Sequence, residues 1–379
     1  MIKILFYIDS LSGGGAEKVL CNLVNAMDQS KFDITMQTLY ECDPTDYLIP
    51  GIHYRYLFKS RSGFAAKLTD LWYRSCTELK LTYPLYMKDD YDIECAYLEM
   101  GATKVMAAST NKKAKKLAWV HCDLKKKTGD TEAFVKKTAD WYRKFDKVVC
   151  VSEDVRKSFV DLFGNAPESV VLYNTIDESE IHTKADAYTP QPTSPERVQL
   201  VYAGRLAAQK DPKHLLLACR ELRDRGYSFE LNILGDGAER PALERLIEQS
   251  SLTDFVHLHG FCANPYPWLK HSDLIVCSSR YEGLSTVALE AMILGKPFVT
   301  TPCTGMREIL GDSEFGLIAD DTEDGLTKAL ARLMDSPALR EFYAAKAKER
   351  AKAFSRQAAV ATTELFFEEL VQEKNVHGC

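Results

Sequence analysis

The sequence predicts an α/β protein of two Rossmann-like domains, each a mostly parallel sheet with helices on both faces. Three observations carry this. The chain opens on a continuous apolar run, Ile2–Ile8, followed by Ser10-Leu11-Ser12-Gly13-Gly14-Gly15 and then a helical pattern. A strand covered on both faces, a glycine turn and a helix make up the repeating unit of parallel sheets. That order recurs along the chain. Residues 182–197 then lose all periodicity and contain Pro190, Pro192 and Pro195, after which the alternation restarts at Val198–Ala203. A length of 379 residues suits two domains of ordinary size better than one core.

The elements follow in order. The first helix is expected from Ala16, because Val19, Leu20, Leu23, Val24 and Met27 recur at three and four. Lys18 stands where the dinucleotide fingerprint needs its last glycine, so this turn is not that motif. Further strands are expected at 32–39, 53–57, 92–98, 116–121, 147–151 and 169–173. His121 ends the apolar strand Leu117-Ala118-Trp119-Val120 and therefore belongs at the ligand edge of the sheet; a core or surface histidine is the alternative. In the second half, Asp211 can cap a helix whose first residue is Pro212. Arg205 and Lys210 share the loop before that helix and can converge on a pyrophosphate as fork and point charge, unless they are merely solvated. Residues 231–237 give a strand and a glycine turn at Gly235, a weaker phosphate candidate. Residues 256–261 and 265–271 continue the order, and past Thr322 the pattern is helical to the end.

Residues 278–301, SSRYEGLSTVALEAMILGKPFVTT, organise the second half. They follow the apolar strand Leu274–Cys277, and Ser285 or Thr286 caps a helix ending at Gly295, before a strand at 297–300. Ligands of such a βαβ unit sit beyond the carboxyl ends of its strands. Gly283 lets backbone approach a ligand, and the amides of Leu284, Ser285 and Thr286 lie at a helix N-terminus that attracts an anion. Glu282 and Glu290 flank this anion site. A carboxylate beside phosphates needs donors, so vicinal hydroxyls of a ribose or sugar are suitable partners. Solvated helix-end glutamates are the plainer alternative.

At these residues the sequence resembles the E-x7-E segment of the retaining glycosyltransferases of family 4, which have the GT-B fold. The resemblance covers nearly the whole chain. It implies two domains facing each other across a cleft: residues 1–181 on the acceptor side, a linker at 182–197, a nucleotide-sugar-binding domain at 198–354, and a last helix, within 355–379, recrossing to the first. It also implies that Glu290 holds the nucleotide ribose, that Glu282 contacts donor-sugar hydroxyls, and that the amides between them contact phosphate or sugar. Gly14 and Gly15 would lie against the donor phosphates and acceptor, and His121 against the transferred sugar. Asn174-Thr175-Ile176-Asp177 occupies the family's N-G-V-D-like segment, with Thr175 in place of the usual glycine. The family's G-R-L-x-x-x-K segment matches Gly204, Arg205 and Lys210, implying diphosphate binding, while Gly260 and Phe261 fall where the family's backbone meets the base.

The implied activity is retaining transfer of a hexose or N-acetylhexosamine from a UDP-sugar to a glycan acceptor, a polyprenyl-diphosphate-linked sugar in surface polysaccharide assembly. No cofactor or metal is implied, because cations and helix amides offset the diphosphate charge. Asp90-Tyr91-Asp92 formally matches the D-x-D signature of metal-dependent glycosyltransferases but reads as a loop-to-strand junction. Two other classes would suit this architecture: a nucleotide-sugar epimerase or hydrolase, and a noncatalytic nucleotide-sugar-binding subunit.

Composition limits the partners and the compartment. A net charge of −6 argues against a general nucleic-acid binder. Eleven cysteines without a C-x-x-C pair read as buried thiols of a reducing compartment, hence cytoplasmic. Asp9 ends the first apolar run too early for a signal sequence, and no stretch approaches the roughly 20 apolar residues of a membrane span. Residues 104–147 nevertheless carry 13 Lys or Arg against 5 Asp or Glu, including Lys125-Lys126-Lys127. Two apolar stripes accompany this stretch: Phe64, Leu68, Leu71, Trp72 and Leu79, and then Phe134, Trp141 and Phe145. Either these are core faces beneath solvated lysines, or the first domain rests peripherally on the anionic inner face of the cell membrane.

Overall fold

The opening apolar run becomes the hub of a seven-stranded parallel sheet. Its strands are β1 (Ile2–Ile8), β2 (Phe32–Tyr40), β3 (His53–Phe58), β4 (Ile93–Ala96), β5 (Lys115–Val120), β6 (Lys147–Cys150) and β7 (Glu168–Val171), in the order β3-β2-β1-β4-β5-β6-β7. Ile4 pairs with Ile34 on one side and Ile93 on the other, and residues 4–8 are wholly shielded from solvent. Helices on both faces leave such a strand no polar side to alternate. The second sheet has β8 (Val198–Ala203), β9 (Phe229–Leu234), β10 (Val256–Gly260), β11 (Leu274–Cys277), β12 (Phe298–Thr300) and β13 (Leu317–Ile318), in the order β10-β9-β8-β11-β12-β13. Leu200, Leu216, Leu231, Ile233, Val276 and Leu330 are central to its core. In each sheet the chain builds outward to one edge, returns, and builds to the other. The reversal leaves switch points between β1 and β4 and between β8 and β11, where adjacent loops diverge and admit ligands.

The structure is a computed structural model that describes residues 1–11, 14–59, 63–87, 90–165 and 167–377. Ser12 and Gly13 of the first glycine turn, the Phe64 side chain and Cys379 lie outside the described residues. Two units result, Met1–Thr175 with Arg356–Cys379, and Ile176–Ser355. The helix Arg356–His377 thus returns to the first unit, and its packing explains why. Phe367 is fully buried against Phe6, Phe32 and Trp119, with ring centroids 6.2 to 6.3 Å apart. Burying a phenylalanine stabilises by about 1.5–3 kcal/mol. At its rim, Glu364 accepts the Asp28 amide at 2.7 Å and Glu368 pairs with Lys31 at 3.0 Å.

The forward crossing falls at Thr175 and Ile176, earlier than the sequence places it. The reason is a cap: Asp177 accepts the Glu180 amide at 3.0 Å and starts the helix Glu178–Ala185, which packs on the helix Tyr266–His271 of the second unit. The proline-rich segment after it is pinned by buried Glu230, which accepts the amides of Thr193 at 3.0 Å and Ser194 at 2.5 Å. The ten cysteines among the described residues are all free thiols. Among the described residues, no helix is long and apolar enough to cross a membrane.

Candidate functional site

At the second switch point, the loops after β8 and β11 are joined by hydrogen bonds and ion pairs. The Arg280 amide donates to Gln209 O at 2.9 Å, Gln209 Nε2 to Tyr281 O at 3.1 Å, and Ser278 Oγ to Lys210 O at 2.9 Å. Arg280 Nε donates to Asp211 at 2.7 Å. Asp211 also caps the helix Pro212–Asp224 by accepting the His214 amide at 3.3 Å, from a left-handed backbone with φ of 43°. Lys210 and Glu282 are thereby brought together. Lys210 Nζ donates to Glu282 Oε1 at 2.5 Å, and Ser279 Oγ donates to the same oxygen at 2.6 Å. Burial works against the Lys210 ammonium, but the neighbouring carboxylate outweighs it and raises its pKa above the ordinary lysine value. Arg205, from the same loop, is exposed and makes no ion pair among the described residues.

Backbone lines the floor of this site. The Gly204 amide donates to Leu234 O at 3.0 Å and the Gly235 amide to Gly260 O at 2.7 Å, so the three glycines lie side by side at the ends of β8, β9 and β10. A Cβ on Gly235 would collide with the Gly204 carbonyl, so only glycine permits the approach. Phe261 follows and is 74 % exposed. Across the switch point, Ser285 rather than Thr286 is the N-cap of the helix Thr286–Ile293, its hydroxyl accepting the Ala288 amide at 3.4 Å. Gly283 and Leu284 lie just before that N-terminus. Gly305, at a φ of 81°, packs so closely on Gly283 that any Cβ there would strike its carbonyl oxygen. One turn into the helix, the buried Glu290 accepts a hydrogen bond from Tyr266 Oη at 3.1 Å. Burial and Glu290 together push the Tyr266 hydroxyl far above its ordinary pKa, so it remains a donor.

The first unit carries its own set of candidates. His121 directly follows β5, its ring centroid 4.7 Å from that of Tyr97 and its amide donating to Glu99. Its Nε2 is buried with no hydrogen-bond partner among the described residues. Burial lowers the imidazole pKa, so the ring is neutral at pH 7. Glu99 is almost fully buried; desolvation raises its pKa, yet Lys127, 3.6 Å away, and the hydrogen bond from the His121 amide bring the balance below the ordinary carboxylate value. Gly14 is the N-cap of the helix Gly15–Val24, at the carboxyl end of β1, and Asn174 is buried beyond β7. The Asp90-Tyr91-Asp92 tripeptide sits at the opposite edge, where Asp92 accepts the Lys3 amide at 3.0 Å. Among the described residues, no group of His, Cys, Asp and Glu has the arrangement of a metal site.

Residues 13–180 match the family Glycosyltransferase Family 4, and residues 186–350 match Glycosyl transferases group 1. The chain is a GT-B glycosyltransferase. A similar protein of Campylobacter jejuni is the N-acetylgalactosamine-N,N'-diacetylbacillosaminyl-diphospho-undecaprenol 4-alpha-N-acetylgalactosaminyltransferase, 28% identical over 371 residues that cover 94% of this chain and 96% of that one. The lipopolysaccharide core biosynthesis glycosyltransferase LpsD of Rhizobium meliloti is 28% identical over 209 residues, 53% of this chain and 57% of its own. Among solved structures, Anabaena HepE in complex with UDP and glucose superposes with a TM-score of 0.77 at 18% identity, covering 97% of this chain and 100% of its own. Sucrose-phosphate synthase of Thermosynechococcus elongatus gives 0.79 at 16%, covering 98% and 100%.

In this glycosyltransferase, the residues that sequence reasoning passed over are partners rather than principals: Ser279, Gln209 and Arg280 in the switch-point loops, Tyr266 behind Glu290, and Glu99 beside His121. Only the cap at Asp211 left a local signal. The basic stretch also changes meaning. Lys125 pairs with Asp161 at 3.4 Å, Lys127 with Glu99, Lys115 with Asp146 at 3.8 Å, and Lys147 with Glu168 at 3.2 Å. Asp161, Glu99 and Glu168 come from elsewhere in the fold and offset part of its surplus, while Asp146 belongs to the stretch itself.

Proposed function

We propose that the enzyme moves a hexose or N-acetylhexosamine from a UDP-sugar to a polyprenyl-diphosphate-linked sugar in surface polysaccharide assembly, with retention at the anomeric carbon and without a metal. The Lys210–Glu282 pair at the β8/β11 switch point, with Glu290 in the adjoining helix, carries this reading. An ammonium and a carboxylate held together beside a helix N-terminus suit a ligand bearing both a diphosphate and hydroxyls. The Campylobacter relative, whose name specifies an undecaprenol diphosphate acceptor, and HepE, solved with UDP and glucose, support the choice of acceptor and donor.

In the proposed reaction, Lys210, Arg205 and the amides at Gly283 to Ser285 stabilise charge on the departing diphosphate as the bond from its oxygen to the anomeric carbon breaks. The acceptor hydroxyl oxygen bonds to that carbon from the same face and gives its proton to the departing diphosphate. Glu282 and neutral His121 position the sugar, the unpartnered Nε2 of His121 being available to one of its hydroxyls. Glu290, steadied by Tyr266, accepts the ribose hydroxyls, and Gly14, Gly15 and Asn174 complete the binding surfaces. The test is a nucleotide-sugar panel in calorimetry, followed by transfer to a polyprenyl-diphosphate-linked sugar and NMR of the new anomeric linkage. An inverted linkage, or donor turnover to free sugar or epimer without acceptor, would overturn the proposal.

A further inference from the structure

Each sheet places a buried carboxylate in the loop after its fourth strand in chain order: Glu282 after β11 and Glu99 after β4. The Glu99 side chain is only 5% exposed, and a charge at that depth needs partners. They come from the segment that follows β5. Oε1 accepts the His121 amide and faces the Cys122 thiol at 3.6 Å, while Oε2 lies 3.6 Å from Lys127 Nζ in the helix Leu124–Thr128. Asp123, the next residue along, accepts the Lys126 amide at 3.1 Å and Ser158 Oγ at 2.6 Å. His121, Cys122 and Asp123 are thus each tied down in turn. The loop that carries Glu99 is fixed as well: Thr103 Oγ1 donates to Leu98 O at 3.0 Å and the Lys104 amide to Met100 O at 2.9 Å. Met100 itself has φ of 65° and ψ of −94°, sparsely populated backbone for a residue with a side chain, which persists only where its surroundings hold it.

His121 is what this arrangement holds. Its ring lies against Tyr97, and its buried Nε2 has no hydrogen-bond partner among the described residues. Two charged groups of opposite sign act on that ring. The Glu99 carboxylate favours the imidazolium and the Lys127 ammonium disfavours it, adding to the effect of burial. The other titratable groups around Glu99 are Cys122, Tyr142 and Cys150, which burial keeps protonated.

We propose that Glu99 and Lys127 form a positioning pair for His121, Glu99 seating the residue through its amide and Lys127 offsetting the carboxylate charge that would otherwise draw a proton onto the ring. The pair deepens the reading of His121 as a ligand of the transferred sugar and rests on that reading for its purpose. Neither member is assigned a contact with substrate. What they supply is an imidazole that stays in one place with a lone pair free for a hydroxyl.

Histidine ring NMR of the nitrogen-15-labelled protein tests it without any substrate, the His121 signal being assigned by its loss in His121→Gln. Lys127→Gln should move the titration of that ring to higher pH, and Glu99→Gln should move it to lower pH. A loss of structure would not produce opposite shifts. The acid limb of kcat/KM for transfer, which reports the free enzyme, should follow in the same two directions. Glu99→Gln keeps an oxygen for the His121 amide, whereas Glu99→Ala does not. The alanine variant should therefore lose kcat by up to about a hundredfold, the glutamine variant should recover most of it, and both should keep wild-type UDP affinity. A His121 titration that stays in place in both glutamine variants, or moves the same way in both, would overturn the proposal, as would wild-type kcat in Glu99→Ala. Titrations that move as expected while His121→Gln transfers sugar at the wild-type rate would leave the pair standing and remove His121 from the sugar site.

Discussion

Replacing Glu282 by glutamine separates the two things this carboxylate does. The substitution keeps the shape and still lets Ser279 donate, but it leaves the Lys210 ammonium without its counter-charge. Breaking a fully buried pair costs about 3–5 kcal/mol. Here the Lys210 side chain is 29% exposed and that of Glu282 8%, so solvent recovers part of the loss and about 2 kcal/mol is expected. For a unit of this size, that lowers the unfolding temperature by about 4–8 °C. UDP should nevertheless bind more tightly. Freed for the diphosphate, Lys210 should add about 1 kcal/mol, roughly fivefold in Kd, below the usual value of a charged hydrogen bond because the ammonium is already partly available. Transfer should fall, since the sugar loses its acceptor of hydrogen bonds. The alkaline limb gives a further check. Because the Lys210 pKa is raised in the folded protein, its stabilisation is complete below the ordinary value of 10.5 and lost as pH climbs through the folded one. The gap in stability between wild type and variant should therefore stay level from neutral pH to about 10 and close above it. Calorimetric unfolding and UDP titration suffice. Unchanged unfolding together with weaker UDP binding would refute the reasoning.

Glu290→Ala should lose about 1–3 kcal/mol of UDP affinity in a folded protein, whereas Tyr266→Phe, which removes one hydrogen bond to that carboxylate, should lose about 0.5–1.5 kcal/mol; calorimetry with UDP and 2'-deoxy-UDP would show the Glu290 variant indifferent to the missing hydroxyl and the Tyr266 variant still sensitive to it. Gly305→Ala forces a Cβ into the Gly283 carbonyl, so donor affinity should drop along with stability, and a variant with wild-type UDP binding would free the Gly283 loop from its proposed role. Transfer should persist in excess chelator, because Arg205, Lys210 and helix amides supply the positive charge; complete and reversible loss would bring a phosphate-bound metal into the mechanism.

Much of the site could be read before any coordinates because it is made of loops that follow strands. An apolar run followed by glycine announces its own position at the sheet edge, as at Gly204 and Gly235, whereas Gly260 was pointed to by the family resemblance. Pairings across the sheet order were not legible. Lys210 and Glu282 are 72 positions apart, and nothing local says that the cation expected on phosphate rests first on the carboxylate expected on sugar. Tyr266 reads as one more aromatic residue in a short helix; only the fold sets its hydroxyl against Glu290. Lys125, Lys126 and Lys127 looked like a free cluster because Asp161 and Glu99 come from other elements. Conversely, periodicity gave Leu68, Leu71, Trp72 and Leu79 a common face but not its direction, since a stripe at helical spacing is equally consistent with core and surface.

The return of the helix Arg356–His377 to the first sheet has a consequence for biosynthesis. The second unit is one uninterrupted segment and can fold as soon as it leaves the ribosome, whereas the first, although made earlier, must wait for the last helix to cover Phe6, Phe32 and Trp119. Until then those aromatic side chains present an open apolar surface. Loop closure grows only logarithmically with length, so the intervening unit delays completion far more than it opposes it. A nascent chain halted before residue 356 should accordingly hold a finished second unit beside an unfinished first one, and chaperones would meet this protein at its N-terminal half.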